Sequence, residues 1–292
     1  MTIRSLRIFL EVTDCHNSVS EAARKLYVSQ PSVSVAIREL EEEYNVKLFE
    51  RLNRRLYLTE KGREFLQYAR RICALADDTA AAMQDDGTGS LRAGASVSAG
   101  SCLMPQLIKR FRELNPNVKV RVTTQPSRQL EQKLLVNDLD LAICEIPVYN
   151  SSLVSEVILS DTLCACAAPK LRKELPEKLT RRELAACPLL LREKGSGTRT
   201  ILDDALARDS LFASPVWEAA SWEAILEAAK QGLGVAVLPH MTAEENLSDG
   251  TLVQIPLAGR PIRQDFTLVR HKDKVVTQAM KSFMSLAESQ KK

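Results

Sequence analysis

The chain has 292 residues, of which 45% are hydrophobic and 26% are charged, and its formal net charge is +3. These values are typical of a soluble globular protein with about two domains, and the small net charge alone gives no sign of a nucleic-acid partner. No run of about 18 apolar residues predicts a membrane span, and the N-terminus lacks the apolar core of a signal peptide. We therefore expect a cytoplasmic protein with no membrane association.

The cysteine and histidine content argues against a metal site, a cofactor and catalysis. Seven cysteines are scattered from Cys15 to Cys187, which does not resemble a disulfide framework, so we expect reduced thiols. Cys164 and Cys166 lie two apart in an apolar run, but no second pair with zinc-ligand spacing accompanies them. The three histidines do not lie beside a nucleophile motif. We predict no catalytic residues, no metal and no cofactor.

Two short helices joined by a tight turn are predicted near the N-terminus, after a first amphipathic helix in "SLRIFLEVTD". Ser18 and Glu21 have the spacing of a capping box that begins a helix. After the break "YVS", Ser29 can cap a second helix that tolerates Pro31 in its first turn. The apolar stripe of this second helix consists of Val33, Ala36, Ile37 and Leu40. Such an arrangement is a helix-turn-helix.

The opposite face of the second helix carries small hydrogen-bonding residues where a surface helix normally carries charge. In a helix-turn-helix, the second helix lies in the DNA major groove with its N-terminal residues against base edges. The side chain of Gln30 can pair with the N6/N7 edge of adenine, and serine hydroxyls can pair with several bases. The residues predicted to face DNA are Ser29, Gln30, Pro31, Ser32, Ser34 and Arg38.

A short hairpin is predicted to follow in "KLFERLNRRLYLT", which alternates like two strands. Arg51, Arg54 and Arg55 lie near its turn, as expected for a wing that contacts the phosphate backbone or the minor groove. Short helix pairs also occur in plain helical bundles. Ten basic against nine acidic residues in positions 1–61 do not decide between the two interpretations.

The segment "FLEVTDCHNSVSEAARKLYVSQPSVSVAIRELEEEYNVKLFERLNRRLYLTEKG" resembles the winged helix-turn-helix of LysR-type transcriptional regulators. The shared elements include "AA" in the first helix of the motif, "SQPSVS" at the start of the second, and "LFER" before the wing. Tyr44-Asn45 departs from the Leu-Gly that the family often has there, which affects the turn but not the groove-facing residues. The resemblance implies sequence-specific binding to double-stranded DNA by a homodimer or homotetramer, with RNA polymerase as a further partner.

One long helix is predicted from Thr59 to about Met83. Its apolar residues alternate spacings of four and three, a heptad seam that favours dimerisation, although a helix that caps a neighbouring domain fits as well. The seam consists of Phe65, Ala69, Ile72, Ala76, Thr79 and Met83. The segment "DDGTGS", residues 85–90, follows as a glycine-rich hinge.

Beyond Ser90, β-like runs alternate with helical segments, which predicts two similar parallel sheets and an α/β fold class. The first sheet contains "LRAGAS", "VKVRVTT" and "LDLAICEI", separated by helices at 102–114 and 127–137. The second contains "PLLLRE", "VWEAAS" and "GVAVLP", which alternate with helices at 199–208 and 222–231. The run "DFTLVRH" and a final helix close the chain.

Ligands of open parallel sheets bind beyond the carboxyl ends of the strands, where helix N-termini offer free N–H groups. Two hydroxyl-rich segments follow such strands, one on each sheet, and together they can close on a small anion. Each segment alone also fits a plain capped helix start. Their residues are Ser98, Gly100 and Ser101 in the first segment and Ser196, Gly197 and Thr198 in the second.

Residues 91–292 resemble the effector domain of the same family, a two-lobed fold similar to type 2 periplasmic binding proteins. The motifs that carry this resemblance include "DLDLAI", "GSGTR" and "GLGVAVLP". The resemblance implies a cleft for a small anionic inducer between "SVSAGS" and "GSGT". Glu145 could then contact an amine or a hydroxyl of the ligand, and Arg199 could be the counter-ion of a carboxylate or sulfate.

We therefore expect a transcriptional regulator controlled by a small-molecule effector, and not an enzyme. Its parts would be a DNA-binding domain at 1–58, a linker and dimerisation helix with its hinge at 59–87, and an effector domain at 88–292. The expected lobes of the effector domain are lobe I at 91–160 with 266–292, and lobe II at 161–265.

Two other functions fit the same architecture. A redox-sensing regulator would use Cys102, Cys144, Cys164 or Cys166, and Cys102 lies near a predicted helix N-terminus that would lower the pKa of its thiol. A catalytic or transport module fused to a DNA-binding domain is the second alternative. The absence of nucleophile, metal, cofactor and signal-peptide motifs argues against it.

Overall fold

The computed structural model describes residues 1–52, 55–83, 89–145 and 150–290. It divides into two compact units, Met1–Gly89 with Lys133–Leu139, and Ser90–Gln132 with Asp140–Lys292. Residues 84–88, most of the predicted hinge, lie outside the described residues. Among the described helices, none is long and apolar enough to cross a bilayer.

The first unit is a helical domain with a hairpin. Its elements in chain order are α1 (Ile3–Asp14), α2 (Val19–Lys25), α3 (Gln30–Tyr44), β1 (Phe49–Leu52), β2 (Arg55–Leu58) and α4 (Glu60–Met83). The hydroxyls of Ser18 and Ser29 each accept a backbone N–H three residues later, at 3.3 Å, and so cap α2 and α3 as predicted. β1 pairs antiparallel with β2, so this unit is the predicted winged helix-turn-helix.

The core of the first unit forms around α1. The fully buried ring of Phe9 lies 5.4 Å from the ring of Phe49 and 5.1 Å from that of Phe65, measured between centroids. The predicted apolar stripe of α3 is also buried. This helix ends at Asn45, which takes a left-handed conformation (φ 50°, ψ 43°) that ordinarily favours glycine, so the departure from the family pattern preserves the turn.

The seam predicted on α4 does not face solvent along its whole length. Ala69 is fully buried, and Phe65 and Ile72 are partly buried against the same core, so the first half of the seam packs within its own unit. Periodicity locates an apolar stripe but not the surface against which it packs. Tyr68 and Leu75 lie beside this seam and are exposed, and with Ile72 and Thr79 of the seam they form a second heptad stripe, which we call the α4 stripe.

The second unit alternates strands and helices. Its elements from Ser90 onward are β3 (Ser90–Ala95), α5 (Val97–Cys102), α6 (Met104–Leu114), β4 (Lys119–Thr124), α7 (Ser127–Leu135), β5 (Leu141–Cys144), β6 (Leu153–Ala167), α8 (Pro169–Glu174), α9 (Arg181–Ala186), β7 (Leu189–Arg192), α10 (Gly197–Ala207), β8 (Pro215–Ala219), α11 (Trp222–Lys230), β9 (Val235–Pro239), α12 (His240–Ser248), β10 (Val253–Ile255), β11 (Arg263–His271) and α13 (Gln278–Glu288).

The strands follow the order β4-β3-β5-β11-β6-β9-β7-β8, and β10 also pairs with β6. β3 is parallel to β4 and β5, and β7 is parallel to β8 and β9, which matches the two predicted sheets. β6 and β11 run antiparallel to their neighbours, and the long strand β6 is missing from the sequence-based prediction. The helix predicted at 102–114 begins later in the structure, as α6 at Met104. A separate short helix, α5, precedes it and is capped by Ser96.

β6 belongs to both sheets. Its residues 153–162 pair with β11, and its residues 163–166 pair with β9, so the chain changes sheet between Thr162 and Leu163. It returns at the start of β11, where the N–H of Leu163 donates to the carbonyl of Ile262 at 2.8 Å. We call residues 163–262 lobe II and the remainder of the second unit lobe I. The limits given above for the domains and lobes stay a prediction.

Candidate functional site

The N-terminal turns of α3 expose the residues predicted to read bases. Gln30, Pro31, Ser32 and Ser34 are all exposed, and so is the cap residue Ser29. The hydroxyls of Ser29 and Ser32 lie 2.7 Å apart and hydrogen-bond to each other. Arg38, one turn after Ser34, is exposed and lies 3.8 Å from the carboxylate of Glu42. Gln30 and Ser34 are therefore the best-placed residues of α3 for hydrogen bonds to base edges.

A groove of about 590 Å³ beside α3 joins three parts of the first unit. It is lined by His16, Asn17, Ser18, Val19, Ser20, Gln30, Arg51, Leu56 and Tyr57. Gln30 from α3 and Arg51 from the hairpin thus share one surface, which also includes the start of α2. Arginine and helix-start N–H groups are common partners of phosphate oxygens, so this groove is suited to a DNA backbone.

The side chains of the other two predicted wing residues, Arg54 and Arg55, cannot be placed in this groove. Arg54 lies outside the described residues, and Arg55 is described only as the first residue of β2, paired in register with Leu52. Tyr27 was not among the residues predicted to face DNA. It is 96% exposed and has a left-handed backbone (φ 54°) in the turn between α2 and α3. Its position directly before "VSQPS" was the available signal.

The two hydroxyl-rich segments meet between the lobes. Ser98, in the first turn of α5, and Thr198, in the first turn of α10, are both nearly fully buried. The oxygen atoms of their hydroxyls lie 3.5 Å apart across the cleft. The Thr198 hydroxyl also donates to Oε1 of Gln264 at 3.0 Å, and Gln264 belongs to β11 near the crossing between lobes. The cleft therefore has hydroxyls from both lobes and an amide from the strand that connects them.

The enclosed space between the lobes is small. Its volume is about 10 Å³, which is close to the minimum for one water molecule. The residues around it are Ser96, Val97, Ser98, Pro126, Ser127, Glu145, Arg192, Glu193, Ser196, Gly197 and Thr198. The lobes are thus closed against each other, and a larger ligand requires them to separate.

Five of the eight residues predicted for this cleft line it: Ser98, Glu145, Ser196, Gly197 and Thr198. Gly100 instead lies against the side chain of Thr124, and Ser101 is exposed with its hydroxyl donating to the carbonyl of Val97. Because α5 begins at Val97, both residues lie beyond the helix start.

Arg199 does not line the cleft either. Its buried guanidinium donates to Asp203 at 2.9 Å and to Glu218 at 3.1 Å, and it also reaches the carbonyl of Arg192 at 3.2 Å. Both carboxylates already neutralise this side chain, so the geometry does not support the predicted role as counter-ion of a ligand. The spacing of Arg199 and Asp203, four residues apart on a helix, was the signal for this pair.

The charged groups around the cleft are two acids and one base. Glu145 is 5% exposed and accepts a hydrogen bond from Ser127 at 3.3 Å. The guanidinium of Arg192 pairs with Glu193 at 2.8 Å and lies 4.8 Å from the ring centre of Trp222. Ser127, Arg192 and Gln264 could not be predicted from the sequence, since nothing local distinguishes them from other polar residues.

Within the described residues, one amide beside the cleft is incompletely bonded. Nε2 of the fully buried Gln264 has no hydrogen-bond partner, although its Oε1 accepts from Thr198. Buried polar atoms of native proteins almost always have a partner. This N–H group is therefore available to an acceptor atom of a ligand.

Of the thiols considered for redox sensing, those of Cys144, Cys164 and Cys166 are buried and that of Cys102 is half-buried. Cys102 is the last residue of α5, not near its start, and its Sγ lies 3.2 Å from the Thr242 hydroxyl. Burial raises the pKa of Cys102, so the expectation of a lowered pKa is wrong. Burial also raises the pKa of Cys144, and a hydrogen bond with Cys166 raises the pKa of Cys164. In the part of the chain described, no three His, Cys, Asp or Glu residues form a potential metal site.

Comparison with known families gives two matches. The model described as "Bacterial regulatory helix-turn-helix protein, lysR family" matches residues 3–63, and that described as "LysR substrate binding domain" matches residues 84–291. Among curated proteins, the transcriptional regulator YeiE of Escherichia coli strain K12 is 30% identical over 99% of this chain and 97% of its own length. The regulator CfxR of Cupriavidus necator is 32% identical over 97% of this chain and 89% of its own length.

Solved structures share the fold over nearly the whole chain. Full-length OxyR from Pseudomonas aeruginosa has a TM-score of 0.78 at 22% identity, covering 99% of this chain and 94% of that one. Full-length CbnR in complex with its target DNA has a TM-score of 0.71 at 21% identity, covering 99% of this chain and 100% of that one.

Proposed function

Because this chain belongs to the LysR family of transcriptional regulators, we propose that α3 reads its operator while the hairpin and the start of α2 hold the phosphate backbone. The observation that carries this proposal is the groove that Gln30 shares with Arg51. Base reading and phosphate contact are adjacent on that surface, as the major groove and its flanking backbone are in DNA. The protein then works in the cytoplasm with the DNA that it binds, and RNA polymerase is the partner through which it affects transcription.

The test is base-specific binding by Gln30→Ala. We expect this variant to lose about 1–3 kcal/mol of binding free energy at one base pair of each half-site, because a bidentate glutamine–adenine pair is lost. Duplexes are first selected from a random pool by the wild-type protein, and fluorescence anisotropy then measures its affinity for each single-base change.

The matched control is Gln231→Ala, at an exposed glutamine of lobe II. It should reproduce the wild-type affinity and base preference. If Gln30→Ala weakens every duplex equally, or leaves the preference unchanged, α3 does not read bases through this residue.

We propose that the effector is a small carboxylic acid that also carries an amino or hydroxyl group. The N–H groups of Gly197 and Thr198 in the first turn of α10 have no helical acceptor and suit a carboxylate, as does the amide N–H of Gln264. Glu145 suits the amino or hydroxyl group, because an ionised carboxylate only accepts hydrogen bonds. A simple anion without a donor group fits less well, since two acids and one base surround the cleft.

We also propose self-association through exposed apolar surfaces of both units. In the first unit, Tyr68 and Leu75 of the α4 stripe are 56% and 52% exposed. In the second unit, the terminal strands of the sheet order, β4 and β8, leave Val122 and Trp217 about two-fifths exposed on strands with one unpaired edge. One such surface forms a dimer, and two independent surfaces on each copy are sufficient for a tetramer.

A further inference from the structure

A wide groove, formed by lobe II and the first residue of β11, is separate from the interlobe cleft. It has a volume of about 1140 Å³ and lies between the start of α9, the later turns of α10 and the segment between β10 and β11. None of the residues that line this groove also lines the cleft. We call it the arginine groove, after Arg181, Arg182, Arg208, Arg260 and Arg263.

The charge of the arginine groove is strongly positive. Five arginines and one acid, Asp209, line it, which gives a net charge of +4. The whole chain has a net charge of only +3, so this one surface has more positive charge than the sum over all residues. Like charges repel one another when they are held close together.

One arginine is held in place and cancels the only acid. The guanidinium of Arg181 pairs with Asp209 at 3.0 Å and reaches the carbonyls of Ala205 and Arg260 at 3.4 Å each. The other four arginines are exposed, and within the described ranges none of them has an ion pair within 4.0 Å. Four positive charges therefore face the groove without a counter-ion among the described residues.

The floor of the groove is apolar and firmly packed. Ile262 is 6% exposed, and Ile201 and Leu211 are partly buried against the same lobe II core. An anion with only phosphate groups would not use this floor, whereas a molecule with a ring would cover it. A volume of about 1140 Å³ is slightly above the 300–1,000 Å³ usual for small-molecule sites.

We propose that the arginine groove binds an organic phosphate of nucleotide size that carries at least two phosphate groups. The guanidinium fork matches phosphate oxygens bidentately, and several unpaired arginines match several phosphate charges. The phosphates lie between Arg208, Arg260 and their neighbours, and the ring lies on the apolar floor. A DNA backbone fits less well, because these arginines surround a depression instead of forming an open stripe.

The arginine groove is distinct from the interlobe cleft, but residues of α10 line both. α10 begins with Gly197 and Thr198 at the cleft, and its later residues Ile201 and Ala205 line the arginine groove. Arg263 also lines the groove and is followed directly by Gln264, which bonds to Thr198. An organic phosphate bound here therefore contacts elements that also form the cleft.

Isothermal titration calorimetry of the full-length protein tests the proposal, with ADP, inorganic pyrophosphate and adenosine as probes. We expect ADP to bind, pyrophosphate to bind more weakly because it does not cover the apolar floor, and adenosine to give no heat of binding. The double variant Arg208→Gln/Arg260→Gln should weaken ADP binding about tenfold or more, since each arginine supplies charge-assisted hydrogen bonds. The pair Arg182→Gln/Arg263→Gln should do the same, and it keeps the test valid if the first pair fails to fold.

The matched control is Arg110→Gln/Arg112→Gln, at two exposed arginines of α6 in lobe I, which should leave ADP binding unchanged. The proposal is overturned if ADP does not bind, if pyrophosphate binds as tightly as ADP, or if the control pair weakens ADP binding as much as the groove pairs do. It is also overturned if the groove pairs weaken binding of a non-specific DNA duplex while wild-type protein binds no ADP, because the groove would then contact DNA.

Discussion

Asp140 shows how a single buried charge is stabilised in lobe I. Its carboxylate is 4% exposed and lies 2.6 Å from a guanidinium nitrogen of Arg92 and 2.8 Å from the ammonium of Lys274. Burial raises the pKa of Asp140, but the hydrogen bond from Arg92 and the charge of Lys274 outweigh this effect and leave its pKa below the ordinary value. The ionised form is therefore the one that stabilises the fold.

We predict that Asp140→Asn lowers the free energy of unfolding by about 3–5 kcal/mol at neutral pH, because it breaks a buried ion pair. Since the folded pKa is depressed, this contribution is fully present above the unfolded value of about 3.9 and is lost as the pH falls through the folded pKa. The difference between wild type and variant should therefore shrink below pH ~4. Urea denaturation of wild type and Asp140→Asn, from neutral pH to below pH ~4, measures this difference in the free energy of unfolding.

Asp138→Asn is the matched control, because Asp138 is 44% exposed and its ion pair with Lys133 is near the surface. It should cost less than about 1 kcal/mol. Equal losses in the two variants would show that burial of Asp140 does not matter.

Residue-level prediction succeeds where a side chain's role is set by its immediate neighbours. The caps Ser18 and Ser29 follow from local spacing, and the structure has both. The roles of Arg199 and Cys102 cannot be predicted from local spacing. Arg199 is directed by Glu218 from a strand far along the chain, and the burial of Cys102 depends on packing between lobes.

At the scale of elements, α4 gives the clearest prediction about assembly. The substitution Leu75→Glu places a charge in the exposed α4 stripe. In a dimer formed through this stripe, that charge would be buried without a partner, which is unfavourable. We expect Leu75→Glu to raise the dissociation constant of the dimer about tenfold or more. Sedimentation velocity over a range of protein concentrations measures this constant.

Gln67→Glu is the control, since Gln67 is exposed on α4 but lies outside the stripe. It should leave the dimer intact. An unchanged dissociation constant in Leu75→Glu would exclude the α4 stripe as a dimer contact.

The strands with parallel partners could be predicted from sequence, but β6 could not. Its second half, "LCACA", reads as an apolar run, while its first half, "LVSEVILSDT", is mostly exposed and lacks a clear alternation. What makes it one strand is pairing with β11 and then with β9, both distant in sequence. Local patterns do not contain that information.

At the scale of the whole molecule, the closed cleft predicts that ligand binding requires movement of the lobes. We expect at least one amino or hydroxy acid to stabilise the full-length protein by ~2.7 kcal/mol at about 100 times its dissociation constant. Ser98→Ala should reduce this effect, because its hydroxyl faces the cleft from lobe I. Thermal denaturation against a panel of such acids provides the measurement.

Ser101→Ala is the control on the same helix, since its hydroxyl bonds to the backbone of α5 and is exposed. If a compound stabilises wild type, Ser98→Ala and Ser101→Ala to the same extent, that compound binds outside the interlobe cleft.

Because the chain leaves lobe I once, within β6, and returns once, at the start of β11, lobe II is one continuous insertion within lobe I. Thr162 and Arg263, at its two ends, are register partners on adjacent antiparallel strands, so their Cα atoms lie only about 5 Å apart. A tight turn between them would close lobe I without residues 163–262. Loss, exchange or permutation of residues 163–262 in the gene would therefore alter lobe I at one place only. The strand order of lobe I would be retained.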